Sequence, residues 1–360
     1  MADKLNKGQA SGAGEAKGMP LVSICMPTYK RTNFVREALD SALAQTYMNI
    51  EILVSDDSPS NNIGDIVRSY ASPRVRYQLN APALGFVPKL NSFLNAARGE
   101  WMVILCDDDI LDPDYVSSMM ANARKHPEGA IHRSRNMWID VESKMIQLDP
   151  LSPVVSAPSR FLHDLYLPQS ETFRVNLSGF MFRPSALKAL GGFTELYAAR
   201  HLDRLAWSEL ATLGPVICEE RPLCKIRLHG TSVSSELESR FDDAVAATQT
   251  AGGKILEILD RVDSDTQTDT GRGEVATARQ LVVRYSNEHI SRAFRQALLT
   301  ELMRPGGARE DLKDLRGKWV RLGLPTTRLT QLLLAASWLP AFLRKPLVSS
   351  MLRVRQKKLQ

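Results

Sequence analysis

The feature that most constrains the fold of this 360-residue chain is an alternation of short apolar stretches with helical patterns across residues 21–125. Four stretches have the length and β-branched content of strands, and they read "LVSICM", "IEILVSD", "RVRYQLN" and "EWMVILC". Between them, apolar residues recur at helical spacing in Phe34–Leu43, Ile63–Tyr70 and Val87–Ala97. Apolar strands that alternate with helices in this way predict a mainly parallel α/β sheet.

Polar clusters follow three of the four predicted strands, at Pro27–Arg31, Ser55–Ser58 and Asp107–Asp109. In open parallel sheets, ligands bind at the carboxyl ends of the strands, near the point where the strand order reverses. The three clusters therefore predict one site at one edge of the sheet.

The third cluster lies in "VILCDDDILDPDY" and sets three carboxylates side by side, where their charges repel. A divalent cation would neutralise them, and oxygen ligands favour Mg²⁺ or Mn²⁺ over zinc. The first hypothesis is a cation that bridges Asp108 or Asp109 to the diphosphate of a nucleotide. The alternative is an acidic turn that caps the next helix, but Asp112 is already placed as the N-cap of a helix that starts at Asp112-Pro113.

The remaining sequence divides into regions of different character. We expect a disordered tail over residues 1–19, a nucleotide-binding half over 20–130, an acceptor half over 131–238, and a helical region over 239–360 with a basic amphipathic end. In the acceptor half, "GFMFRPSALKALGGF" predicts a strand, a short helix from Pro184 and a glycine stop. The helical region is interrupted by a polar insert, "DSDTQTDTGRG".

The opening residues contain no apolar stretch, so they resemble neither a signal peptide nor a membrane anchor. The four cysteines show no paired metal spacing and are expected to be reduced, as in a cytoplasmic protein.

The net charge of +6 is concentrated at the C-terminus, because no acid follows Asp314 while ten lysines and arginines do. The body of the chain is therefore not basic, and nucleic acid is not an expected partner. From residue 325 onward, two short apolar runs with Trp338 and Phe342 lie among these basic residues. This pattern predicts a peripheral, interfacial helix on an anionic membrane surface, at the inner face of the membrane. The alternative is a helical cap packed on the catalytic domain.

Taken together, "VSICMPTYKR", "IEILVSDDSPS", "GEWMVILCDDDILDPDYV" and "GGF" resemble the family-two glycosyltransferases, which have a GT-A fold. The resemblance is close over about residues 20–130 and looser over 170–235. It implies an inverting enzyme that moves a sugar from a nucleotide-diphosphate donor, most commonly of the UDP type, to a hydroxyl acceptor. The acceptor would be a glycan or lipid-linked molecule in cell-surface glycan or glycolipid synthesis, and the cofactor Mn²⁺ or Mg²⁺.

The resemblance assigns six residues to the nucleotide, namely Pro27, Thr28, Tyr29, Asp57, Lys89 and Asp107. Two of them also have simpler explanations, since Asp57 fits an Asx turn and Lys89 fits a solvated helix position. The family commonly has Asn after the Tyr of "PTY", where this chain has Lys30.

The resemblance further assigns Asp108, Asp109 and His229 to the metal. Contact with the diphosphate is a second role that it offers for His229, and Arg227 would offset the charge of the diphosphate. The first acid of the family's aspartate run is replaced by Cys106, which leaves the exact ligand open. A structural role for His229 is the alternative.

An inverting transfer also needs a carboxylate that accepts the proton of the acceptor hydroxyl. The family carries it in an acidic pair at a helix start, which here reads "ARHLDRLAW" with Leu202 in place of the first acid, so Asp203 is the candidate base. The alternative is a surface acid paired with Arg200 or Arg204.

Two other functions compete with this interpretation. A nucleotidyltransferase also uses paired acids on an α/β sheet, but it would normally have a glycine-rich loop after the first strand, which "PTYKR" lacks. A catalytically degenerate sugar-nucleotide-binding module is favoured by the losses at Cys106 and Leu202.

Overall fold

The computed structural model of the protein describes residues 18–168, 172–196, 199, 201–229, 241–304, 309–323, 327–339 and 346–349. These residues fall into two compact units. The first contains those up to Glu195, together with His201–His229 and Lys254–Arg279, and the second contains the others. Residues 1–17 of the predicted tail and Phe342 lie outside the described residues.

The strands of the described residues are β1 (Val22–Thr28), β2 (Ile50–Asp56), β3 (Val75–Leu79), β4 (Trp101–Ile104), β5 (Ile110–Leu111), β6 (Ile131–Ile139), β7 (Met145–Leu148), β8 (Val155–Ser156), β9 (Phe180–Phe182) and β10 (Val216–Arg227). The helices are α1 (Val35–Leu43), α2 (Asn62–Ser69), α3 (Phe86–Ala96), α4 (Tyr115–Lys125), α5 (Pro158–Tyr166), α6 (Pro184–Ala189), α7 (Leu202–Ala211), α8 (Phe241–Asp265), α9 (Asp269–Met303), α10 (Arg309–Leu322) and α11 (Arg328–Ala336).

One sheet organises the first unit, and its main strand order is β3-β2-β1-β4-β9-β6-β10-β5. The first four strands are parallel to their neighbours, as the alternation of strands and helices predicts. Strand β9 runs antiparallel to both β4 and β6, so the sheet is mixed. Among the described residues, four of its strand pairings are parallel and five are antiparallel. The chain moves from β1 outward to β2 and β3 and then returns to place β4 on the other side of β1. The carboxyl ends of β1 and β4 therefore lie at a point where the strand order reverses, which is where ligands bind in such sheets.

The helices between the first strands follow from their apolar stripes. In α1, the residues Val35, Ala38, Leu39 and Ala42 recur every three or four positions, and all are buried. They pack in one core with β1, β2 and β4, whose own side chains are buried on both faces of the sheet. This packing holds the strand ends rigidly, so the side chains in the following loops have defined positions.

Two predicted boundaries were wrong. The helix after the acids begins at Tyr115 and not at Asp112-Pro113. Asp112 instead closes a turn, in which its Oδ1 accepts a hydrogen bond from the backbone N of Asp114 at 3.1 Å. The polar insert 263–273 is mostly helical, because α8 continues to Asp265 and α9 begins at Asp269. Its flanking residues Val262 and Val275 are buried, and their packing outweighs the polar composition between them.

The strand, short helix and glycine stop predicted from "GFMFRPSALKALGGF" are confirmed as β9, α6 and a turn with Gly191 at φ 97°.

The second unit has a helical core of its own, in which Phe294, Leu298, Trp319, Leu333 and Val348 are buried together. Among the helices of the described residues, none is both long enough and apolar enough to cross a membrane.

Candidate active site

The centre of the site is a network of charged side chains at the ends of β1, β4 and β10. Arg31 follows β1, and its guanidinium contacts Asp107 Oδ1 at 2.6 Å through Nη2 and Asp108 Oδ2 at 3.0 Å through Nη1. His229 follows β10, and its Nε2 lies 2.7 Å from the same Oδ2 of Asp108 and 3.3 Å from Arg31 Nη1. Three separate segments of the chain thus converge on Asp108, as the strand-end clusters predicted for the first and fourth strands.

Asp107 is a buried acid of this network with one oxygen left without a hydrogen-bond partner among the described residues. Its side chain is 2% exposed, and its second oxygen, Oδ2, has no hydrogen-bond partner within the described residues. Burial raises the pKa of Asp107 to about 7, although the charge of Arg31 opposes this and that of Asp108 adds to it. A buried carboxylate oxygen without a partner is costly, so this side of the site favours an additional positive or hydrogen-donating group.

Both carboxylate oxygens of Asp109 already accept hydrogen bonds from other residues of the protein. Its Oδ2 accepts a hydrogen bond from Ser178 Oγ at 2.6 Å, and its Oδ1 accepts one from the backbone N of Arg227 at 2.9 Å. Burial, followed by the nearby charge of Asp108, raises the pKa of Asp109 well above its usual range. These contacts connect the acid cluster to β10 just ahead of His229, so in this structure Asp109 positions the histidine segment.

Arg227 has a different position from the one expected beside a diphosphate. Its side chain is fully buried, and its guanidinium donates to the carbonyl oxygens of Asp108 and Asp140 and pairs with Glu37. It also lies over the ring of Phe34, at 4.4 Å from the centroid. These contacts fix the backbone of Asp108, and they leave the guanidinium directed into the protein.

The acid cluster fits a small divalent cation. Ligand atoms of Cys106, Asp108 and Asp109 all lie within 4.8 Å of one another, and His229 Nε2 lies against Asp108. The unpartnered oxygen of Asp107 lies in the same network. The carboxylate oxygens are ligands that suit Mg²⁺ or Mn²⁺, whereas burial raises the pKa of the Cys106 thiol well above its usual range and disfavours the thiolate that would bind a metal.

The second predicted cluster forms a separate buried pair. Asp57 accepts from Asn80 Nδ2 at 2.8 Å and from the backbone N of Leu84 and Gly85, and it lies 3.2 Å from Lys89 Nζ. Burial alone would raise the pKa of Asp57, but these hydrogen bonds and the charge of Lys89 outweigh it, so the pKa is lowered.

Lys89 is itself 2% exposed, and its Nζ donates to the carbonyl oxygen of Thr28 at 2.7 Å. It is therefore not a solvated helix lysine. The Asx turn expected in this segment is formed by Asp56, whose Oδ1 accepts from the backbone N of Ser58 at 2.9 Å.

The segment after β1 links these two clusters. Pro27 and Thr28 are buried in the strand, while the ring of Tyr29 is 48% exposed and lies 4.7 Å from Lys30 Nζ. Lys30 has φ 59°, in the left-handed region that Asn adopts more easily than Lys. This conformation gives a physical reason for the Asn that is common in the family at this position.

Asp203 lies in the first turn of α7 and is partly exposed. Its Oδ1 accepts from the backbone N of Arg204 at 2.7 Å. Burial raises the pKa of Asp203, and the charge of Arg204 opposes this. The guanidinium of Arg204 contacts the carbonyl oxygen of Leu165 and lies over the ring of Tyr166, which supports the start of α7.

Comparison with known proteins identifies the family of part of the chain. Residues 23–191 match the sequence model of "Glycosyl transferase family 2". The chain contains a glycosyl transferase family 2 domain. This domain includes Arg31, Asp57, Lys89 and the three acids after β4, whereas Asp203 and His229 follow the matched residues.

Relatives of the family 2 domain include an "Uncharacterized glycosyltransferase" of Rickettsia felis, which is 27% identical over 228 residues. The match covers 62% of this chain and 37% of that protein, so the chain spans little more than a third of its relative's length. A "Chondroitin synthase" of Pasteurella multocida is 28% identical over 130 residues, which are 36% of this chain and 13% of that protein.

Among solved structures, TarS 1-349 of S. aureus in complex with UDP-GlcNAc has a TM-score of 0.51 at 15% identity. The similarity covers 85% of this chain and 93% of that one. It shows that the two chains share a fold, and the expected GT-A fold with a C-terminal helical region is confirmed.

Sequence reasoning missed three residues of the site. Arg31 contacts Asp107 and Asp108, Asn80 contacts Asp57, and Ser178 contacts Asp109, all at 2.6 to 3.0 Å. Only Arg31 carried a signal, as a charged residue at the end of a strand-end cluster. Asn80 and Ser178 are polar residues in loops, and nothing in their local sequence distinguishes them.

Proposed function

We propose that this protein transfers a sugar from a nucleoside-diphosphate donor to a hydroxyl group of an acceptor, with inversion at the anomeric carbon. The observation that carries the proposal is the convergence of Arg31, Asp107, Asp108 and His229 at the carboxyl ends of β1, β4 and β10. This is a position where sheets of this type bind ligands, and the network combines acids for a cation with positive charge for phosphates.

For the donor, we propose a UDP-type sugar nucleotide that binds along the segment after β1. The exposed ring of Tyr29 offers a surface on which a base can stack, while Pro27 and Thr28 form the floor. Asp57 and Lys89 support this floor, because Lys89 joins the carboxylate of Asp57 to the carbonyl of Thr28. The complex of TarS with UDP-GlcNAc supports this choice of donor class.

For the cofactor, we propose Mn²⁺ or Mg²⁺ held by Asp108, Asp109 and His229, with Cys106 beside them. When bound, such a cation supplies positive charge that stabilises the departing diphosphate. Asp107 faces the same network and is proposed to contact the ribose of the donor.

For the base, we propose Asp203. The carboxylate would accept the proton of the acceptor hydroxyl as that oxygen attacks the anomeric carbon and the bond to the diphosphate breaks. Its raised pKa makes it a stronger proton acceptor than an ordinary aspartate, and the hydrogen bond from the backbone of Arg204 orients it. The acceptor itself is proposed to be a glycan or lipid-linked molecule, which the similarity to a chondroitin synthase supports.

The proposal is tested by incubating the protein with MnCl₂ and a panel of UDP-sugars and GDP-sugars, and by identifying the released nucleotide. A glycosyltransferase releases the nucleoside diphosphate through slow hydrolysis even without its acceptor. Release of pyrophosphate from a nucleoside triphosphate and a sugar phosphate would instead identify a nucleotidyltransferase. Binding of a sugar nucleotide without any release, also when glycan acceptors are supplied, would identify a binding module.

We also propose that the C-terminal region associates peripherally with an anionic membrane surface, at the inner face of the membrane. Trp338 is 72% exposed, Val320 is 77% exposed and Leu332 is 54% exposed. The guanidinium of Arg316 lies 4.1 Å from the ring centroid of Trp338, so positive charge and aromatic surface are adjacent. Since no acid follows Asp314, the charge of this region complements anionic lipid headgroups.

Co-sedimentation with vesicles that contain anionic lipid tests this association. Each basic residue near such a surface contributes about 1 kcal/mol, so binding should weaken markedly as salt is raised. Trp338→Ala should weaken vesicle binding at both low and high salt. Trp101→Ala, which changes a buried tryptophan, should leave vesicle binding unchanged. Absence of sedimentation of the full chain at low salt would contradict the proposal.

A further inference from the structure

The guanidinium of Arg31 lies beside the acids that are proposed to bind a divalent cation, so its positive charge would compete with the cation. Its guanidinium bridges Asp107 and Asp108 and also approaches the imidazole of His229 at 3.3 Å. We propose that Arg31 is a built-in counter-ion, which a divalent cation displaces from Asp108 and which then pairs with the diphosphate of the donor. This proposal rests on the proposed function, because it assigns a role to Arg31 within the same site.

The first step is a competition for one oxygen atom. Asp108 Oδ2 already has Arg31 Nη1 at 3.0 Å and His229 Nε2 at 2.7 Å. A cation that binds this oxygen would lie within a few ångströms of the guanidinium, and two positive charges at that distance repel strongly when they are partly removed from water. Arg31 and the cation are therefore expected to exclude each other at Asp108.

The second step concerns which positive group can move. Arg227 is also near the acids, but its side chain is fully buried and fixed to Glu37 and two carbonyl oxygens. Arg31, in contrast, has a side chain that is 26% exposed, in the loop between β1 and α1. Of these two arginines, Arg31 is the one whose guanidinium can leave its carboxylates without breaking the core.

The third step is the chemistry of the released group. A guanidinium presents a planar set of donors that matches phosphate oxygens in a bidentate manner. Arg31 also lies two residues after Tyr29, in the segment that is proposed to bind the nucleotide. Entry of the cation would thus free an anion-binding group beside the proposed position of the diphosphate.

The first test measures the affinity for Mn²⁺ alone by isothermal titration calorimetry, without nucleotide. Arg31→Gln should bind Mn²⁺ about tenfold more tightly than the wild type, because it removes a competing charge from Asp108. Arg36→Gln is the matched control, since it removes the same charge from an exposed position on α1 and should leave the affinity unchanged.

The second test measures the affinity for UDP and GDP at saturating MnCl₂. Here Arg31→Gln should bind the preferred nucleoside diphosphate about tenfold more weakly, because the released guanidinium is missing. Arg31→Lys, which keeps the charge but not the bidentate geometry, should give intermediate values in both tests. The opposite signs of the two changes are the signature of the exchange, since a merely structural role of Arg31 would weaken both.

Several results would overturn the proposal. Equal or weaker Mn²⁺ binding by Arg31→Gln would refute the displacement, and unchanged UDP and GDP affinity would refute the pairing with diphosphate. The proposed function fails separately, if the wild type neither binds nor cleaves any sugar nucleotide. Circular dichroism and thermal melting verify that each variant is folded. If Arg31→Gln does not fold, the Mn²⁺ and nucleotide affinities of Arg31→Lys test the proposal instead.

Discussion

Lowering the pH from 7.5 to 5 is expected to destabilise the wild-type protein through one buried histidine, His132. This residue lies on β6, is 0% exposed, and neither ring nitrogen has a hydrogen-bond partner within the described residues. Its ring packs edge-on against Trp101 with centroids 5.2 Å apart. Burial, with a smaller contribution from the charge of Arg183, lowers the pKa of His132 from 6.5 to about 4.

The sign follows from proton binding in the two states. Between pH 6.5 and about 4, His132 takes up a proton in the unfolded chain but remains neutral in the folded one. Stability is therefore lost as the pH falls through this window. From these two pKa values, the loss is about 2 kcal/mol at pH 5 and approaches about 3 kcal/mol below pH 4.

Urea denaturation followed by tryptophan fluorescence measures this loss, with wild type, His132→Gln and His126→Gln compared at pH 7.5, 6 and 5. The buried acids titrate in every protein, so their contributions cancel when each variant is subtracted from the wild type at the same pH. The free energy of unfolding of His132→Gln, relative to that of the wild type, should rise by about 2 kcal/mol when the pH is lowered from 7.5 to 5. His126→Gln removes a neighbouring charge that also disfavours the protonated form of His132, so it should give a smaller shift than His132→Gln. If the free energies of unfolding of His132→Gln and wild type differed by the same amount at every pH, His132 would not be the group that destabilises the folded protein at low pH.

Three further substitutions test individual parts of the site. Lys30→Asn should raise the melting temperature, because Asn relieves a left-handed conformation that disfavours Lys by roughly 1 kcal/mol; a lower melting temperature would show that the contact of Lys30 with Tyr29 matters more. Asp57→Asn should lower the free energy of unfolding by about 3 kcal/mol, because it leaves Lys89 charged and buried. Adding Lys89→Met should recover part of this loss. If the melting temperature of the double variant showed no recovery, the ion pair would not be the source of the stability. Asp203→Asn should keep the affinity for the donor but lower transfer about 10²–10⁴-fold, and a parallel loss of donor affinity, measured by calorimetry, would place the base elsewhere.

The parallel part of the sheet and the position of the site could be predicted from the sequence because both depend on local patterns. Each apolar strand and the polar cluster after it are adjacent in the chain, and parallel strands bring such clusters together at one edge. The antiparallel strand β9 has only three residues, Phe180–Phe182, yet it was also predicted because Gly179 and Pro184 delimit it closely.

The environment of each charged residue could not be predicted in this way. Arg31 and Asp108 are 77 positions apart, and Arg227 and Glu37 are 190 apart, so no periodicity connects them. Whether Arg227 faces a ligand or the core depends on which carbonyl oxygens the fold places around it. The role expected for Arg227 beside a diphosphate therefore had no basis in its own segment, and its burial became visible only in the folded chain.

Asp108 is proposed to lie at the centre of a site that cleaves a sugar nucleotide. Release of nucleoside diphosphate from the preferred donor in MnCl₂ tests it most directly, with wild type, Asp108→Asn and Asp114→Asn compared at equal protein concentration. Asp114 is the matched control, because it lies in the same acidic stretch but is exposed and contacts Thr46 outside the site. Asp108→Asn should abolish release while its fold and melting temperature are retained, and Asp114→Asn should behave as the wild type. Near-normal release by a folded Asp108→Asn would contradict it.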